Sequence, residues 1–307
     1  MKAISQDELG GPDVLRLVDI QRPEPGMGQV LVRVHAAGVN PVDVMNRETG
    51  VFVGPPPFVL GWDVSGTVEA VGMGVTVHRP GDEVFGLLPF PHGHGAYAEY
   101  AVGPARVFVP KPANLDHVQA AALPLAGLTA FQALVDTARI TEGSRVLITG
   151  PAGGVGHLAV QIAKAYGAHV IGLATAADSD YVSSLGVDQV IDYTTTDFSE
   201  RVTDLDVVFD VIGHDYPQMA LRVLKSGGTL VSTQPQTLSP LAAVAAERGV
   251  RLAELAVEAD RLGMTVLADL AARGALVPTV AGTFPLAAAG EAQSFRTGRG
   301  KTALVVE

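Results

Sequence analysis

The chain of 307 residues contains no cysteine. That absence excludes disulfides, thiolate nucleophiles, iron–sulfur clusters and every cysteine-ligated zinc site. Charge is also scarce: charged residues are 17% of the chain against the roughly 25% of an ordinary globular protein, so disorder is excluded and large buried cores are expected. Lys and Arg number 21 and Asp and Glu 32, a net charge of −11, and no basic block interrupts that acidity. A nucleic-acid partner is therefore not expected. No apolar signal-peptide core opens the sequence, since Asp7 and Glu8 stand where it would lie, and the expected location is cytoplasmic. The longest uncharged run, Val118 to Val135, holds Gln119, Pro124, Gly127 and Gln132, which predicts a buried helix broken near Pro124 and no membrane insertion. There is no internal repeat of 20–50 residues.

What is present falls into two textures. Up to about residue 110 the sequence reads as β. Val30 to Val34 alternates apolar and charged side chains as a half-buried strand does, and short apolar runs follow at Asp63 to Val71, Glu83 to Leu87, Ala96 to Val102 and Arg106 to Val109. Turn signals such as Pro25-Gly26, Gly72-Met73-Gly74 and Pro80-Gly81 separate them, which predicts a compact barrel-like β domain. From about Leu115 the texture changes. Asp116 is a candidate helix cap, a second helix is expected near Leu128, and from Arg145 strand and helix alternate, through strands at Arg145 to Thr149, His169 to Leu173, Gln189 to Asp192, Asp206 to Val211, Thr229 to Thr233 and Arg251 to Val257. Such alternation predicts a parallel sheet with right-handed crossovers. After it come a helix, about Thr265 to Arg273, and strands at about Leu276 to Ala281 and Thr302 to Val306, which no longer fit that rhythm and could return to the first domain.

The strongest local signal is RVLITGPAGGVGHLAVQIAKAYGAHVIG, residues 145 to 172. A β-branched strand ends at Thr149, a turn rich in glycine follows, and a helix begins at once. This is the geometry a dinucleotide pyrophosphate needs: glycine lets the backbone approach the phosphate, and a helix N-terminus offers free N–H groups and the positive end of its dipole. Pro151 stands where the first glycine of G-x-G-x-x-G would be, and Gly153 and Gly156 supply the second and third. The candidate pyrophosphate contacts are Gly150, Ala152, Gly153, Gly154, Val155 and Gly156. The next strand ends in Ala174, Thr175, Ala176 and Ala177, with no acid placed for the two ribose hydroxyls of NAD. Thr175, Ser179 and Tyr193 offer hydroxyls to a 2′-phosphate, which favours NADP(H). Asp178 and the lack of Arg or Lys in the turn favour NAD. Ile212 and Gly213, after a later strand, are expected to line the cofactor with backbone groups.

The ordered segments AAGVNPVDVMNRETG (36 to 50), LGWDVSGTVEAVG (60 to 72), RPGDEVFGL (79 to 87), GAYAEYAV (95 to 102), AALPLAGLTAFQAL (121 to 134), the TGPAGGVG turn, LRVLKSGGTLVS (221 to 232), TFPLAAAGEA (283 to 292) and GRGKTALVV (298 to 306) span nearly the whole chain. Together they resemble the medium-chain dehydrogenase/reductase superfamily, in its zinc-free quinone oxidoreductase (zeta-crystallin-like) branch. The resemblance implies an α/β protein: a GroES-like β-barrel catalytic domain, 1–118 and 259–307, and a Rossmann doubly wound parallel-sheet domain, 119–258, with NADPH in the cleft between them. It implies a homodimer, formed through edge strands for which Leu230 to Thr233 and Arg251 to Val257 are candidates.

Alcohol dehydrogenases of that superfamily carry a zinc-ligating cysteine where this chain has Asn40, and His-Glu where it has Trp62-Asp63. A catalytic zinc needs about three protein ligands, so alcohol oxidation is disfavoured. An electron-poor acceptor is favoured instead, a quinone or an α,β-unsaturated carbonyl. The resemblance further implies that Asn40 and Asp43 lie beside the nicotinamide ribose and the acceptor, and that Thr129 contacts the nicotinamide. No proton donor is legible; Tyr97 is one possibility. His92-Gly93-His94 offers a metal two ligands without a third, and Ser65 in D-V-S-G shows neither a nucleophile elbow nor an acid–base partner.

Overall fold

The computed structural model describes residues 1–296 and 298–306. The chain forms two compact units: Met1–Leu128 with Glu258–Gly274 and the tail from Pro278, and Thr129–Val257 with Ala275–Val277.

In the first unit the strands are β1 (Lys2–Gln6), β2 (Arg16–Asp19) and β3 (Gln29–Val39), then helix α1 (Pro41–Thr49), β4 (Phe58–Val59), β5 (Asp63–Val71), β6 (Glu83–Leu87), β7 (Tyr100–Pro104), β8 (Phe108–Pro110) and α2 (His117–Ala121). Asn40 caps α1, Pro41 supplies its fixed φ at the first helical position, and Gly50 closes it in the left-handed conformation. β3 is the spine. It pairs antiparallel with β5, placing Val32 opposite Val68 and Ala37 opposite Val64, and with β7 through Val32 opposite Ala101. Its alternation predicts one solvent face, yet Val30, Leu31, Val32 and Val34 are all buried and only Arg33 is exposed in that run. α2 packs on β3 and β5, so β3 is covered on both sides. Asp116 caps α2 as expected, accepting the Gln119 N–H at 2.7 Å. Helix α3 (Pro124–Phe131) begins at the proline and passes into a π-helical turn, Gln132–Thr137.

The second unit is a six-stranded parallel sheet built from β9 (Arg145–Thr149), α4 (Gly156–Ala165), β10 (His169–Ala174), α5 (Ser179–Ser184), β11 (Gln189–Asp192), β12 (Leu205–Asp210), α6 (Tyr216–Val223), β13 (Leu224–Ser232), α7 (Ala242–Glu247) and β14 (Arg251–Glu254). The strand order is β11-β10-β9-β12-β13-β14. The chain winds outward in one direction from β9 and in the other from β12. The crevice at the carboxyl ends of these two neighbours is therefore the topological switch point where such sheets bind ligands. Leu147, Ile171, Val208, Leu221 and Leu230 belong to the core between sheet and helices. Because β14 lies outside it, β13 is an interior strand, so Leu230 to Thr233 offers no free edge; the sheet ends at β11 and β14.

The tail supplies α8 (Arg261–Ala272), β15 (Val280–Pro285), α9 (Ala289–Ser294) and β16 (Lys301–Val305). β16 lies antiparallel on β3, with Thr302 opposite Val39. The strand expected near Leu276 to Ala281 begins only at Val280. The Gln161 amide holds the segment before it, accepting the Val277 N–H at 2.8 Å and donating to the Val277 carbonyl at 3.1 Å, and this ties Ala275–Val277 to the second unit. The first unit runs on past residue 118 because the start of α3 is held there by Asp63, which accepts the Leu125 N–H at 2.7 Å. Among the described residues no helix is long and apolar enough to cross a membrane.

Candidate active site

The turn between β9 and α4 is set by close backbone approach. Gly150 has φ +67°, and a Cβ on Gly156 would lie 2.0 Å from the Gly150 carbonyl oxygen, so both positions require glycine. Gly153 differs. A Cβ there would meet only the Gly150 oxygen, at 3.5 Å, and otherwise open space. Gly153, Gly154 and Val155 are partly exposed, whereas Ala152 and Gly156 are buried. No side chain caps α4; the His157 and Leu158 N–H groups bond the Gly153 and Val155 carbonyls at 3.0 and 3.2 Å, so what the helix start offers a ligand is chiefly the positive end of its dipole. His157 Nδ1 bonds the Gly153 carbonyl at 2.9 Å, and the ring is fully buried, so it braces the turn. This is a cradle that fits a pyrophosphate.

Beside it stands a residue that sequence reasoning missed. Asp210, at the end of β12, is fully buried. Its carboxylate accepts from Thr149 Oγ1 (2.9 Å), Ser232 Oγ (2.8 Å), and the N–H groups of Ile212 (3.2 Å) and Gly213 (3.1 Å). One anion thus ties the ends of β9, β12 and β13 together at the switch point. The Ile212 and Gly213 N–H groups are turned inward to that carboxylate, so of the backbone groups expected to line the cofactor these two are already engaged. What Ile212 presents is its side chain, 42% exposed, whose Cδ1 a Cβ on Gly150 would meet at 2.9 Å. The only sequence signal for Asp210 is an acid ending a buried apolar strand.

At the end of β10 the Thr175 hydroxyl donates to Asp178 at 3.1 Å, so the two residues that pointed to different cofactors are engaged with each other. Ser179 begins α5, one residue on. Tyr193 is 45% exposed and meets Tyr216 edge to face at 6.5 Å. Thr129 is buried and belongs to the second unit, whereas Asn40 and Asp43 belong to the first.

Asn40 and Asp43 form a capping box: the Asn40 N–H donates to Asp43 Oδ2 at 2.7 Å. Both residues are buried, Asp43 completely. Burial pushes the Asp43 carboxyl up to about 7, with the Asn40 N–H opposing the rise and the charge of Asp63 adding to it. The Tyr97 hydroxyl lies near Asp43 and Gln293 without completing a hydrogen bond to either. Tyr97 is fully buried, and that burial pushes its hydroxyl well above the ordinary tyrosine range.

The positions matching the zinc ligands do not fit a zinc ion. Asn40 Nδ2 donates to Asp63 Oδ2 at 2.8 Å, and Asn40 Oδ1 accepts from the Lys301 ammonium. Trp62 is fully buried between Phe90 and His94, and an indole offers a metal no lone pair. The Lys301 charge, 3.9 Å from Asp63, already occupies the place of a cation. His94 Nδ1 is taken by the Val59 carbonyl at 2.7 Å. Ser65 does have the partner its sequence context hid: its Oγ meets His117 Nδ1 at 2.8 Å, and His117 Nε2 meets Glu83 at 3.0 Å. The relay is assembled by β5, β6 and α2, far apart in sequence. Ser65 is 0% exposed inside β5, so no substrate reaches it as a nucleophile.

Two family models match the chain. Residues 26–113 match an alcohol dehydrogenase GroES-like domain and residues 185–302 a zinc-binding dehydrogenase. A quinone oxidoreductase of Mus musculus is 32% identical, over 100% of this chain and 97% of that protein. An NADPH-dependent alkenal/one oxidoreductase of Arabidopsis thaliana is 40% identical over 76% of this chain, and the match spans 62% of that longer protein. The solved structure of a quinone oxidoreductase from Coxiella burnetii superposes with a TM-score of 0.93, at 36% identity, over 100% of this chain and 99% of that one. The chain belongs to the medium-chain dehydrogenase/reductase superfamily, in its zinc-free quinone oxidoreductase branch.

Proposed function

We propose that this protein is an NADPH-dependent, zinc-independent oxidoreductase that reduces a quinone or a related α,β-unsaturated carbonyl. The observation that carries the reading is the turn after β9, closed by Gly150 and Gly156 and open at Gly153, at the switch point of the sheet. The cofactor supplies a hydride from its nicotinamide. The chain's own contribution is to bind and orient. Gly153, Gly154 and Val155 line the pyrophosphate, with Ala152 and the closing glycines shaping the turn behind it. The Ile212 side chain packs along the cofactor, and Asp210 holds the strand ends in register. Tyr193, Thr175 and Ser179 lie toward the 2′-phosphate. The Thr175–Asp178 hydrogen bond engages a residue of each cofactor preference, so the reading of NADP(H) rests on Ser179 and Tyr193. Thr129 serves the nicotinamide, and Asn40 and Asp43 the acceptor side. Rate enhancement rests on proximity and orientation in a site from which water is excluded. Acceptors already poised to take a hydride need no Lewis acid, which suits the amide–ammonium cluster standing where the zinc ligands would be. The exposed edge at β14 is the surface through which a homodimer would form.

The names of the two curated relatives, one a quinone oxidoreductase and one an alkenal/one oxidoreductase, support both acceptor classes. Steady-state NADPH oxidation with 1,4-benzoquinone and with a 2-alkenal ranks them. Turnover with neither, despite NADPH binding, sinks the catalytic reading and leaves a cofactor-binding protein.

A further inference from the structure

The least expected group in the first unit is Lys301. It opens β16 and is 4% exposed. Its charge is countered by Asp63, whose Oδ2 stands 3.9 Å away, but the two make no direct hydrogen bond. The ammonium instead donates to the Val39 carbonyl at 3.0 Å and to Asn40 Oδ1. Asn40 Nδ2 donates in turn to Asp63 Oδ2 at 2.8 Å, and the other Asp63 oxygen accepts the Leu125 N–H at 2.7 Å. The Asn40 amide is thus a bridge between a buried cation and a buried anion. Its orientation is unique: a flip would turn its NH2 toward the ammonium and its oxygen toward the carboxylate. Space for the cluster is built into β3. A Cβ at residue 38 would lie 2.4 Å from Asp63 Oδ2 and 2.5 Å from the Ala121 carbonyl, so Gly38 is what admits the carboxylate.

Desolvation works against both charges, raising Asp63 and lowering Lys301, while their mutual attraction works for them. Such a pair is a poor stabiliser, and well-packed apolar side chains are often as good or better. Net stability therefore does not by itself account for an ammonium at this point.

We propose that Lys301 is a positioning residue for acceptor reduction: its ammonium, countered by Asp63, fixes the Asn40 amide and, through the Asn40 backbone, the N-terminus of α1 that carries Asp43. This rests on the reading of Asn40 and Asp43 as acceptor-side residues. With one Nδ2–H committed to Asp63, the second has a fixed direction, set by the cluster behind it and not by solvent. The charged and titratable groups that face the cluster are Asp43, Asp63, Lys301 and, behind Asp43, Tyr97.

The test compares wild type, Lys301→Met, and the charge-balanced double variant Asp63→Asn/Lys301→Met in the full chain. Three quantities are read: the melting temperature, the Kd for NADPH with kcat and KM for 1,4-benzoquinone, and the hydrogen exchange of the assigned Asn40 side-chain amide by NMR. Lys301→Met strands a buried carboxylate and melts lower. The double variant removes both charges and so melts above Lys301→Met, but it stays below wild type, because the new amide NH2 at position 63 faces one of the two donors that Asp63 served and Asn40 Oδ1 loses its donor. Its kcat/KM for the quinone nevertheless stays about tenfold down, the loss of roughly one charge-assisted hydrogen bond. The NADPH Kd is unchanged, and the Asn40 amide exchanges faster. Recovery of kcat/KM to within about twofold of wild type in the double variant, at the loss of only one binding-neutral pair, overturns the proposal. If wild type itself turns over no acceptor, the functional reading has failed separately, and the Asn40 amide still decides: slow exchange in wild type that is lost without Lys301 supports positioning, and unchanged exchange refutes it.

Discussion

Substituting alanine at two glycines of one turn separates architecture from ligand. At Gly156 the new Cβ falls 2.0 Å from the Gly150 oxygen and 2.8 Å from both the Gly150 carbonyl carbon and Pro151 Cα. These are backbone atoms on the far side of a tight turn, and relief requires the turn to open by more than about 1 Å for ordinary carbon–oxygen contact. Overpacking of that size costs about 3 kcal/mol, so the cofactor-free protein melts several degrees lower. The opened turn also loses at least one N–H contact to phosphate, about 2 kcal/mol or roughly thirtyfold in NADPH affinity. At Gly153 the new Cβ finds a single neighbour at 3.5 Å, an ordinary contact, and the backbone is not in the left-handed region. Gly153→Ala therefore leaves the melting temperature of the cofactor-free protein within about a degree. Its methyl group projects into the space assigned to the pyrophosphate, and NADPH binding weakens at least about tenfold. Thermal melts by circular dichroism without cofactor, and NADPH fluorescence titrations, read the two effects independently. Wild-type NADPH affinity in Gly153→Ala refutes the placement of the pyrophosphate. Unchanged stability in Gly156→Ala refutes the close approach that defines the turn.

The Asp43 carboxyl is raised from an ordinary 3.8 to about 7, so between those pH values the folded chain keeps a proton that the unfolded chain releases. Stability therefore falls as pH rises through that window, by about 4 kcal/mol in all. Asp43→Asn keeps the acceptor for the Asn40 N–H, and denaturant melts of this variant at pH 4 to 8 should lose that fall and exceed wild type at pH 8; an unchanged slope rejects the assignment. Asp210→Asn presents an NH2 to one of four donors, which costs about 2–3 kcal/mol in urea unfolding; wild-type stability would show that the carboxylate is not the hub described. Tyr193→Phe removes a hydroxyl from the 2′-phosphate and should weaken NADPH about tenfold while leaving NADH affinity unchanged; equal losses for both place Tyr193 elsewhere than at the phosphate.

Local chemistry made much of this legible. The strand–glycine–helix pattern at 145 to 172 marks β9, α4 and β10 because three short-range signals agree there. Alternation of strand and helix gives the parallel sheet for the same reason. What the sequence hides is made of long-range partners. Lys301 meets Asn40 only because β16 lies on β3. The Ser65–His117–Glu83 relay joins three elements, and the donors to Asp210 come from β9, β13 and the turn after β12. An acid two and three residues upstream of Ile212 and Gly213 gives no sign in sequence that it folds back on its own turn to take their N–H groups. β13 read as an edge because strand order, unlike strand identity, is not written in local pattern.

The central claim is that this chain passes a hydride from NADPH to a conjugated acceptor without a metal. Its most direct measurement is a single-turnover reaction of chelator-treated protein with NADPH carrying deuterium at nicotinamide C4, mixed with a 2-alkenone, with the product analysed by mass spectrometry. The account predicts that NADPH is consumed and that the label from one face of the nicotinamide appears at the β-carbon of the saturated ketone, at a rate untouched by the chelator. NADPH that binds but is not consumed with alkenone or quinone, or turnover that requires added zinc, would contradict it.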